Sequence, residues 1–136
     1  EALGTFGQQG LYLASYWTYP PTGSPANAAF RLYRNYDGKG SVFGTQSLPV
    51  AVDQAGVRAY AAKHTESGRQ HGEVDVVLTN ESGTSPATVH VAAGSPQRGT
   101  VYIVPPGQGT IVTERNIPLD DVHLPPMSAA IVTVAA

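Results

Sequence analysis

Residues 11–40 read LYLASYWTYPPTGSPANAAFRLYRNYDGKG and predict one buried strand, a loop and one helix. Leu11–Trp17 is a dense run of apolar and aromatic residues without clean alternation, which is typical of a strand buried on both faces. The strand ends before Pro20 and Pro21, because proline cannot donate a hydrogen bond to a neighbouring strand. A strand followed by a helix is half of a βαβ unit, whose strand normally has parallel neighbours. Since the chain supplies no second unit, this stretch is either a small α+β domain or part of something larger.

The second half of the stretch predicts a helix that begins at Ser24. The Ser24 hydroxyl can accept a hydrogen bond from a free N–H of the first turn, and Pro25 at the first helical position loses no hydrogen bond. We expect the helix to stop at Asp37–Gly40, with Gly38 as the left-handed residue beyond its end. Before the stretch, Glu1–Gly10 predicts a short helical turn or a loop. The apolar residues of the helix recur at spacings of three and four and form one stripe: Ala29, Phe30, Tyr33 and Tyr36.

After Gly40 the pattern changes to an alternation of period two, which is typical of strands with one buried face. The predicted strands are Ser47–Asp53, Val57–His64, Glu73–Asn80, Ala87–Ala92, Thr100–Val104, Thr110–Glu114 and Ser128–Val134, with a weaker one at Asp121–Leu124. Turn residues separate them, for example at 81–84 and 94–96. The chain therefore predicts a mainly β fold, an antiparallel β-sandwich preceded by one strand-helix unit.

The composition limits the classes of function. A length of 136 residues predicts one domain with at most an appendage, and the net charge of −2 gives no electrostatic reason to expect nucleic acid or an anionic membrane as a partner. No apolar run approaches the roughly 18 residues that a transmembrane helix needs. The absence of cysteine excludes disulfides and thiolate metal sites. The chain begins at Glu1 rather than methionine, so we expect a processed end, an expression boundary or a break inside a longer polypeptide.

Three segments of the sequence carry a resemblance to a known family. They are LGTFGQQG at Leu3–Gly10, FRLYRNYDG at Phe30–Gly38 and FGTQS at Phe43–Ser47. Together they resemble the end of the catalytic domain of glycoside hydrolase family 44, whose members are endo-β-glucanases, some acting on xyloglucan or xylan. Two positions depart from the family pattern, since Gln8-Gln9 stands where a charged pair is usual and Thr45-Gln46 where Asp-Thr is usual.

The resemblance implies a fold and a division of the chain. The family combines a (β/α)8 barrel with a β-sandwich, so residues 1–40 would be the last strand-helix unit of the barrel and residues 41–136 the C-terminal sandwich. The first strand or strands of that sandwich come from the N-terminus of the enzyme. The family retains anomeric configuration through two glutamates on earlier barrel strands. The resemblance therefore implies that no catalytic residue lies in this chain and that the chain alone is inactive.

The titratable residues form no catalytic or metal-binding motif. Glu73 and Asp75 are two residues apart on one predicted strand, so they would share a face, which we expect to be solvated. Asp37 is expected to act in the turn after the helix. Asp120 and Asp121 could form half of a calcium site, although a turn is the better interpretation. His64, His71, His90 and His123 lack zinc-type spacing. We therefore predict no cofactor and no metal site, with a structural calcium left open.

The aromatic residues at the end of the first predicted strand are better candidates for a functional site. An aromatic ring can stack on the apolar face of a sugar and bury a large area in a fixed orientation. By resemblance to the family, Trp17 is the residue expected to contact substrate as a platform beneath the sugar, and Tyr19 is a second candidate. The alternative is that both residues belong to a core or an interface.

The sequence thus favours the C-terminal part of a secreted bacterial endo-acting β-1,4-glucan hydrolase of the retaining type. Its partners would be a β-glucan polysaccharide, through the complete enzyme, and the missing N-terminal barrel portion. Cellulose, xyloglucan, mannan and xylan stay open as substrates. The alternative is a non-catalytic carbohydrate-binding or structural β-sandwich module. Expressed alone, such a chain could form a homo-oligomer through the exposed strand-helix segment.

Overall fold

The computed structural model describes residues 1–68, 70, 72–92 and 98–134. Within these residues the chain forms two helices and eight strands. The helices are α1 (Ala2–Gln8) and α2 (Pro25–Arg34). The strands are β1 (Gln46–Leu48), β2 (Val57–Lys63), β3 (Val74–Asn80), β4 (Ala87–Val89), β5 (Arg98–Val104), β6 (Val112–Pro118), β7 (Val122–Leu124) and β8 (Ser128–Val134). None of the described helices is long and apolar enough to cross a membrane.

The strands form two antiparallel sheets. Six of them lie in the order β1-β2-β3-β8-β5-β6, and β4 pairs with β7 in a small second sheet. The C-terminal strand β8 is therefore central, between β3 and β5. This arrangement confirms the predicted mainly β, antiparallel sandwich.

The large sheet buries a different row of side chains on each face. Tyr60, Val77, Ile131 and Tyr102 lie directly opposite one another on β2, β3, β8 and β5, and they pack against α2. The neighbouring positions on the same strands, which include Val76 and Val132, belong to the core shared with the small sheet. Successive residues of a strand point to opposite faces, so the period-two pattern of the sequence supplies both cores.

Helix α2 begins as the sequence predicts. The backbone N–H of Asn27 donates to the Ser24 hydroxyl at 3.2 Å, and Pro25 occupies the first turn. The helix ends earlier than expected, at Arg34, with Asn35 as its C-cap. Gly38 has the predicted positive φ of 72°, but it lies in the turn that follows the helix rather than next to its end.

The buried face of α2 is rotated from the predicted stripe. Ala28, Leu32 and Tyr36, each four residues apart, are the residues that the helix region buries most completely. Of the predicted stripe, Tyr36 is buried, and the other three are only half-buried. Ala28 and Leu32 face the tyrosine-rich row of the sheet, whereas Phe30 lies nearer the N-terminal segment, where its ring meets Tyr16.

The prediction of a strand at Leu11–Trp17 is wrong for this structure. Residues 11–16 have no regular secondary structure, and no described strand pairs with them. Tyr12 is 100% exposed and Leu13 75% exposed. A strand needs a neighbour for its backbone hydrogen bonds, and the sheet of this chain ends at β1 and β6 without reaching this segment.

Of the two forms predicted for residues 1–10, a short helical turn or a loop, the structure shows the helix. Helix α1 lies against strand β2 of the large sheet, where Gly4 is buried against the ring of Tyr60. A Cβ at Gly4 would collide with that ring, so only glycine allows this close approach. The hydroxyl groups of Thr5 and Tyr60 are hydrogen-bonded at 3.0 Å.

The other strands differ from expectation mainly at their ends. β1 and β4 are shorter than predicted, and β6 is shifted to Val112–Pro118 from the predicted Thr110–Glu114. A bulge interrupts the alternation within β6, because two residues of β6 oppose one residue of β5 between Val101 and Gly99. Asn116 lies in that bulge with a φ of 56°, and its side chain accepts a hydrogen bond from Arg98 at 2.7 Å. The predicted turn at 94–96 and the residue His71 lie outside the described residues.

Candidate functional site

The two predicted substrate-contacting residues lie on the surface of the chain. Trp17 is 98% exposed and Tyr19 is 80% exposed. Both belong to an extended stretch, Leu11–Tyr19, which we call the aromatic segment. Its exposed residues also include Leu11, Tyr12, Leu13 and Tyr16. The rings are therefore available for stacking, and their contact with a substrate stays a prediction.

The aromatic segment is held at its two ends and at one ring. At its start, the backbone N–H of Leu11 donates to the Phe6 carbonyl at 2.9 Å, which closes the turn after α1. In the middle, Tyr16 meets Phe30 of α2 edge to face, with ring centroids 5.4 Å apart. Beyond its end, the backbone of Gly23 packs closely on Gly109, so that a Cβ on residue 109 would collide with the Gly23 backbone.

A buried polar cluster lies on the helix-facing side of the large sheet. His64 Nε2 and Asp75 Oδ2 are 2.6 Å apart, and both residues are almost fully buried, at 5% and 0% exposure. The Gln70 amide donates to the Tyr36 hydroxyl at 2.6 Å and also contacts Val42. These contacts tie the region after α2 to the β2–β3 hairpin.

The expectation of a solvated face at Glu73 and Asp75 is wrong in part. The two residues share a face, as their spacing predicts, but Asp75 is fully buried and Glu73 half-buried. The face lies under the segment that follows α2, including Gly44, whose backbone packs tightly against β2. Burial raises the pKa of Asp75 to about 6, while His64 opposes the rise through its hydrogen bond and charge.

Three side chains of this cluster converge on one point. One potential ligand atom each from His64, Glu73 and Asp75 lies within 4.8 Å of the others. The second carboxylate oxygen of Asp75, Oδ1, is buried and has no hydrogen-bond partner. The sequence already shows the i, i+2 spacing of the two acids. The approach of His64 depends on the register of the β2–β3 hairpin, which the spacing alone does not give.

The remaining acidic candidates lie in turns of the chain. Asp37 accepts hydrogen bonds from the backbone N–H groups of Lys39 and Ser41 and from the Ser41 hydroxyl, which confirms its predicted role in the turn. Asp120 and Asp121 are exposed in the turn between β6 and β7. No third carboxylate or histidine of the described residues joins those two aspartates.

A second surface feature is a groove of about 730 Å³ on the other face of the sandwich. Its floor consists of small apolar residues on β2 and β3, among them Ala59, Ala61 and Val76, and residues 49–54 and β4 form its walls. In the part of the chain that the structure describes, the small sheet has two strands and leaves this part of the large sheet open. The groove is therefore an uncovered part of the sandwich core.

Comparison with solved structures identifies the relatives of this arrangement. The chain superimposes over 98% of its length on CelM2, a bifunctional glucanase-xylanase from a metagenome library, with a TM-score of 0.83 and 30% sequence identity. It also matches a family 44 endoglucanase from Clostridium thermocellum over 96% of its length, with a TM-score of 0.75 and 27% identity. The chain is a relative of the family 44 glycoside hydrolases. A family 44 xyloglucanase from Paenibacillus polymyxa shares the fold, with a TM-score of 0.74 at 24% identity.

Sequence comparison finds relatives of the same kind. The chain is 33% identical over 86 residues to endoglucanase A of Paenibacillus lautus, and 33% identical over 82 residues to β-mannanase/endoglucanase A of Caldicellulosiruptor saccharolyticus. No model of a known protein family matches the chain. It spans 26% of CelM2 and only 12% of the P. lautus protein. The family 44 resemblance of the sequence is thus confirmed, as a match to the C-terminal region of these enzymes.

Proposed function

We propose that this chain is the C-terminal part of a secreted, endo-acting β-1,4-glucan hydrolase that works by the retaining mechanism. The observation that carries the proposal is the match of 98% of the chain to a glucanase-xylanase of which it spans 26%. In the proposed enzyme, the remaining three quarters contain the barrel and both catalytic glutamates. Residues 1–40 would close that barrel, and residues 41–136 would be the sandwich that supports it.

The positions of the acidic residues support placing the catalytic pair elsewhere. Retaining hydrolysis needs two carboxyl groups about 5–5.5 Å apart on either side of an accessible sugar bond. Glu1 and Glu81 are exposed residues that shift each other's pKa, upward for Glu1 and downward for Glu81, and Glu81 forms an ion pair with Arg58 at 3.5 Å. Asp75 and Glu73 also lie close together, but Asp75 is fully buried. Because a buried acid cannot reach a glycosidic bond, the pair of Glu73 and Asp75 does not fit the reaction.

The apolar groove supports the proposed assembly with the rest of the enzyme. Small residues such as Ala59 and Ala61 form its floor, and among the described residues β4 pairs with β7 alone, so its other edge is open. An additional strand beside β4 would cover this floor and complete the second sheet of the sandwich. This is the place for the strand that family 44 enzymes are expected to supply from their N-terminus.

In this proposal Trp17 is the platform for a sugar ring and Tyr19 extends it. The exposure of both rings supports the assignment, because a stacking residue must present its face to the cleft. The hydrophobic neighbours Leu11 and Leu13 would pack against the barrel. The same exposed surface favours the second candidate, a non-catalytic module that holds polysaccharide or pairs with a second copy of itself.

The first prediction is that the purified chain alone is inactive. It should release no more reducing sugar from carboxymethylcellulose or xyloglucan than a buffer blank, because the proposed catalytic glutamates are absent. A complete family 44 endoglucanase serves as the positive control in the same assay. Hydrolysis that co-elutes with the chain during size-exclusion chromatography would overturn the proposal.

The second prediction concerns Trp17 in a complete barrel. In a hybrid, this chain replaces the matched segment of CelM2, and circular dichroism establishes that the hybrid is folded. The hybrid should hydrolyse a β-glucan, and Trp17→Ala should lower its kcat/KM about 10- to 100-fold, because burial of a large aromatic side chain is worth about 1.5–3 kcal/mol.

Tyr12→Ala is the matched control for Trp17→Ala, since Tyr12 is an equally exposed aromatic residue of the same segment. Since Tyr12 is not proposed to touch the sugar, we expect Tyr12→Ala to change kcat/KM less than about twofold in a hybrid that circular dichroism shows to be folded. A folded hybrid that cleaves no β-glucan would contradict the proposed function. Retention of the chain alone on insoluble cellulose, abolished by Trp17→Ala, would favour the binding module instead.

A further inference from the structure

We propose that His64, Glu73 and Asp75 bind one divalent transition-metal ion of the Zn²⁺ type, which fastens the segment after α2 to the sandwich. This inference does not depend on the proposed hydrolase function. It rests on the convergence of three potential ligand atoms within 4.8 Å and on a buried, unpartnered carboxylate oxygen of Asp75, one of the three residues.

The β2–β3 hairpin brings the three side chains together. The backbone N–H of His64 donates to the Glu73 carbonyl at 2.9 Å, so the two residues continue the antiparallel pairing one step beyond Lys63 and Val74. Directly opposite residues of an antiparallel pair have their Cβ atoms about 4.5–5.5 Å apart on one face. Asp75, two residues after Glu73, lies on that same face. The site is therefore formed by regular strand geometry rather than by a long loop.

Asp75 supplies the second, independent observation. Its side chain is 0% exposed, and its Oδ1 atom makes no hydrogen bond. A buried carboxylate oxygen without a partner is costly, and native structures nearly always satisfy such an atom with a donor, a water or an ion. The other oxygen, Oδ2, is already 2.6 Å from His64 Nε2. A cation between the imidazole and the carboxylates would satisfy the free oxygen.

The donor set defines the class of metal. One imidazole nitrogen and two carboxylate oxygens form a combination that Zn²⁺ accepts at about 2.0–2.2 Å, with a fourth position for water. Ca²⁺ requires six to eight oxygen ligands and Mg²⁺ about six, so the single imidazole disfavours both ions. The two carboxylates also carry a charge of −2, which a divalent ion neutralises. On binding, the metal would lie between His64 Nε2 and Asp75 Oδ2 and replace the hydrogen bond that joins them.

The position of the site indicates its role. Gln70 joins the cluster to the segment after α2, through the Tyr36 hydroxyl at 2.6 Å and the backbone of Val42 at 3.3 Å. Gln70 Nε2 also lies 3.4 Å from His64 Nε2. A metal ion that fixes His64 would fix this connection as well. The ion would therefore hold residues 36–42 against the β2–β3 hairpin.

The experiment uses the complete chain after removal of metals with a chelator. Isothermal titration with ZnCl₂ should show one equivalent bound, and the Tm should rise by about 5–10 °C at 100 times the Kd. CaCl₂ and MgCl₂ at the same concentration should leave the Tm unchanged. Absence of Zn²⁺ binding up to 100 times the chain concentration, or an equal response to Ca²⁺, would overturn the proposal.

Two variants separate this site from adventitious binding by surface histidines. Glu73→Gln removes a ligand at a half-buried position, so it should keep the Tm of the metal-free chain and weaken Zn²⁺ binding at least 10-fold. The double variant His90→Ala with His123→Ala removes two exposed imidazoles and should bind Zn²⁺ as the original chain does. If the double variant loses the binding and Glu73→Gln keeps it, the proposed site is wrong.

Discussion

Replacing Asn80 with aspartate is expected to lower the free energy of unfolding by about 3–5 kcal/mol at pH 7, because it places an unpaired charge in a buried site. Asn80 is 3% exposed and ends strand β3. Its amide NH₂ group faces three carbonyl oxygens, those of Ser85, Leu124 and Pro125, at 2.9, 3.2 and 3.1 Å. These bonds link the large sheet to the end of β7 and to the turn after β3.

The substitution Asn80→Asp isolates the role of the amide NH₂ group, because it changes the chemistry of the side chain without changing its shape. Aspartate and asparagine have nearly the same volume, so no cavity forms. The side-chain oxygen that accepts from the Ser82 N–H at 3.0 Å is kept. The NH₂ group, however, becomes an oxygen that faces three carbonyl oxygens and can donate to none of them while it is ionised. The expected loss therefore comes from the reversed polarity at one atom.

The pH dependence gives the prediction its sign. Burial beside three carbonyl oxygens raises the folded-state pKa of the introduced carboxyl above its unfolded value of about 3.9. The folded variant thus holds the proton more tightly than the unfolded variant, so the variant is least destabilised below pH 4 and loses stability as pH rises through the folded pKa. Urea unfolding at pH 4 and pH 7 measures this change. The titration of Asp75 is common to both proteins and cancels in their difference.

Asn35→Asp is the matched control for Asn80→Asp. The Asn35 side-chain oxygen accepts from the Gly40 N–H at 2.8 Å, a role that a carboxylate keeps. We expect a change below about 1 kcal/mol, the size of an unfavourable charge at a helix C-terminus. Equal losses in the two variants, or a loss at position 80 that does not shrink at pH 4, would refute the assigned role of the amide.

The sequence predicts those parts of the fold that depend on local patterns. Alternating residues at Val74–Asn80 and Ser128–Val134 identify strands, because each strand buries one set of positions on each side. Ser24 and Pro25 locate the start of α2 to the residue, since a cap needs only its own first turn. The acids at 73 and 75 share a face for the same reason.

The features that depend on distant partners could not be predicted. Leu11–Trp17 has the composition of a buried strand, yet burial requires neighbouring strands, and the described part of this chain offers none to that segment. The spacing of α2 allows more than one apolar stripe, and the tyrosine row of the sheet selects Ala28 and Leu32. The pairing of His64 with Asp75 likewise depends on the hairpin register.

Candidate-site residues divide in the same way. Trp17 and Tyr19 are recognised through a motif, and the structure gives their exposure. The proposed metal site has no spacing motif, because its ligands come from two strands joined by a turn. It becomes visible only when Asp75 is found buried with a free oxygen. A site on one segment can thus be recognised from a sequence motif. A site formed by residues from different strands is recognised from a buried polar group that lacks a hydrogen-bond partner in the structure.

Leu32→Ala should be among the most damaging truncations in the chain, with a loss of about 2–5 kcal/mol in the free energy of unfolding. Leu32 is 1% exposed and lies in the cluster formed by α2 with Tyr60, Val77 and Ile131. Its removal leaves a cavity that the rigid tyrosine rings cannot fill by small movements. Chemical denaturation with urea, followed by far-UV circular dichroism, measures the shift of the midpoint.

Leu13→Ala applies the same truncation to a leucine that the structure leaves 75% exposed. Surface substitutions of this kind usually change stability by less than about 0.5 kcal/mol. If Leu11–Trp17 were a buried strand in the free chain, Leu13→Ala would instead cost about as much as Leu32→Ala. We expect Leu13→Ala to leave the free energy of unfolding of the free chain almost unchanged and to lower that of the CelM2 hybrid by a large amount. This difference would mean that the segment becomes a strand only beside its barrel neighbours. Leu13→Ala, measured in the free chain and in the hybrid, therefore tests both the absence of a strand at Leu11–Trp17 in the free chain and the proposed barrel.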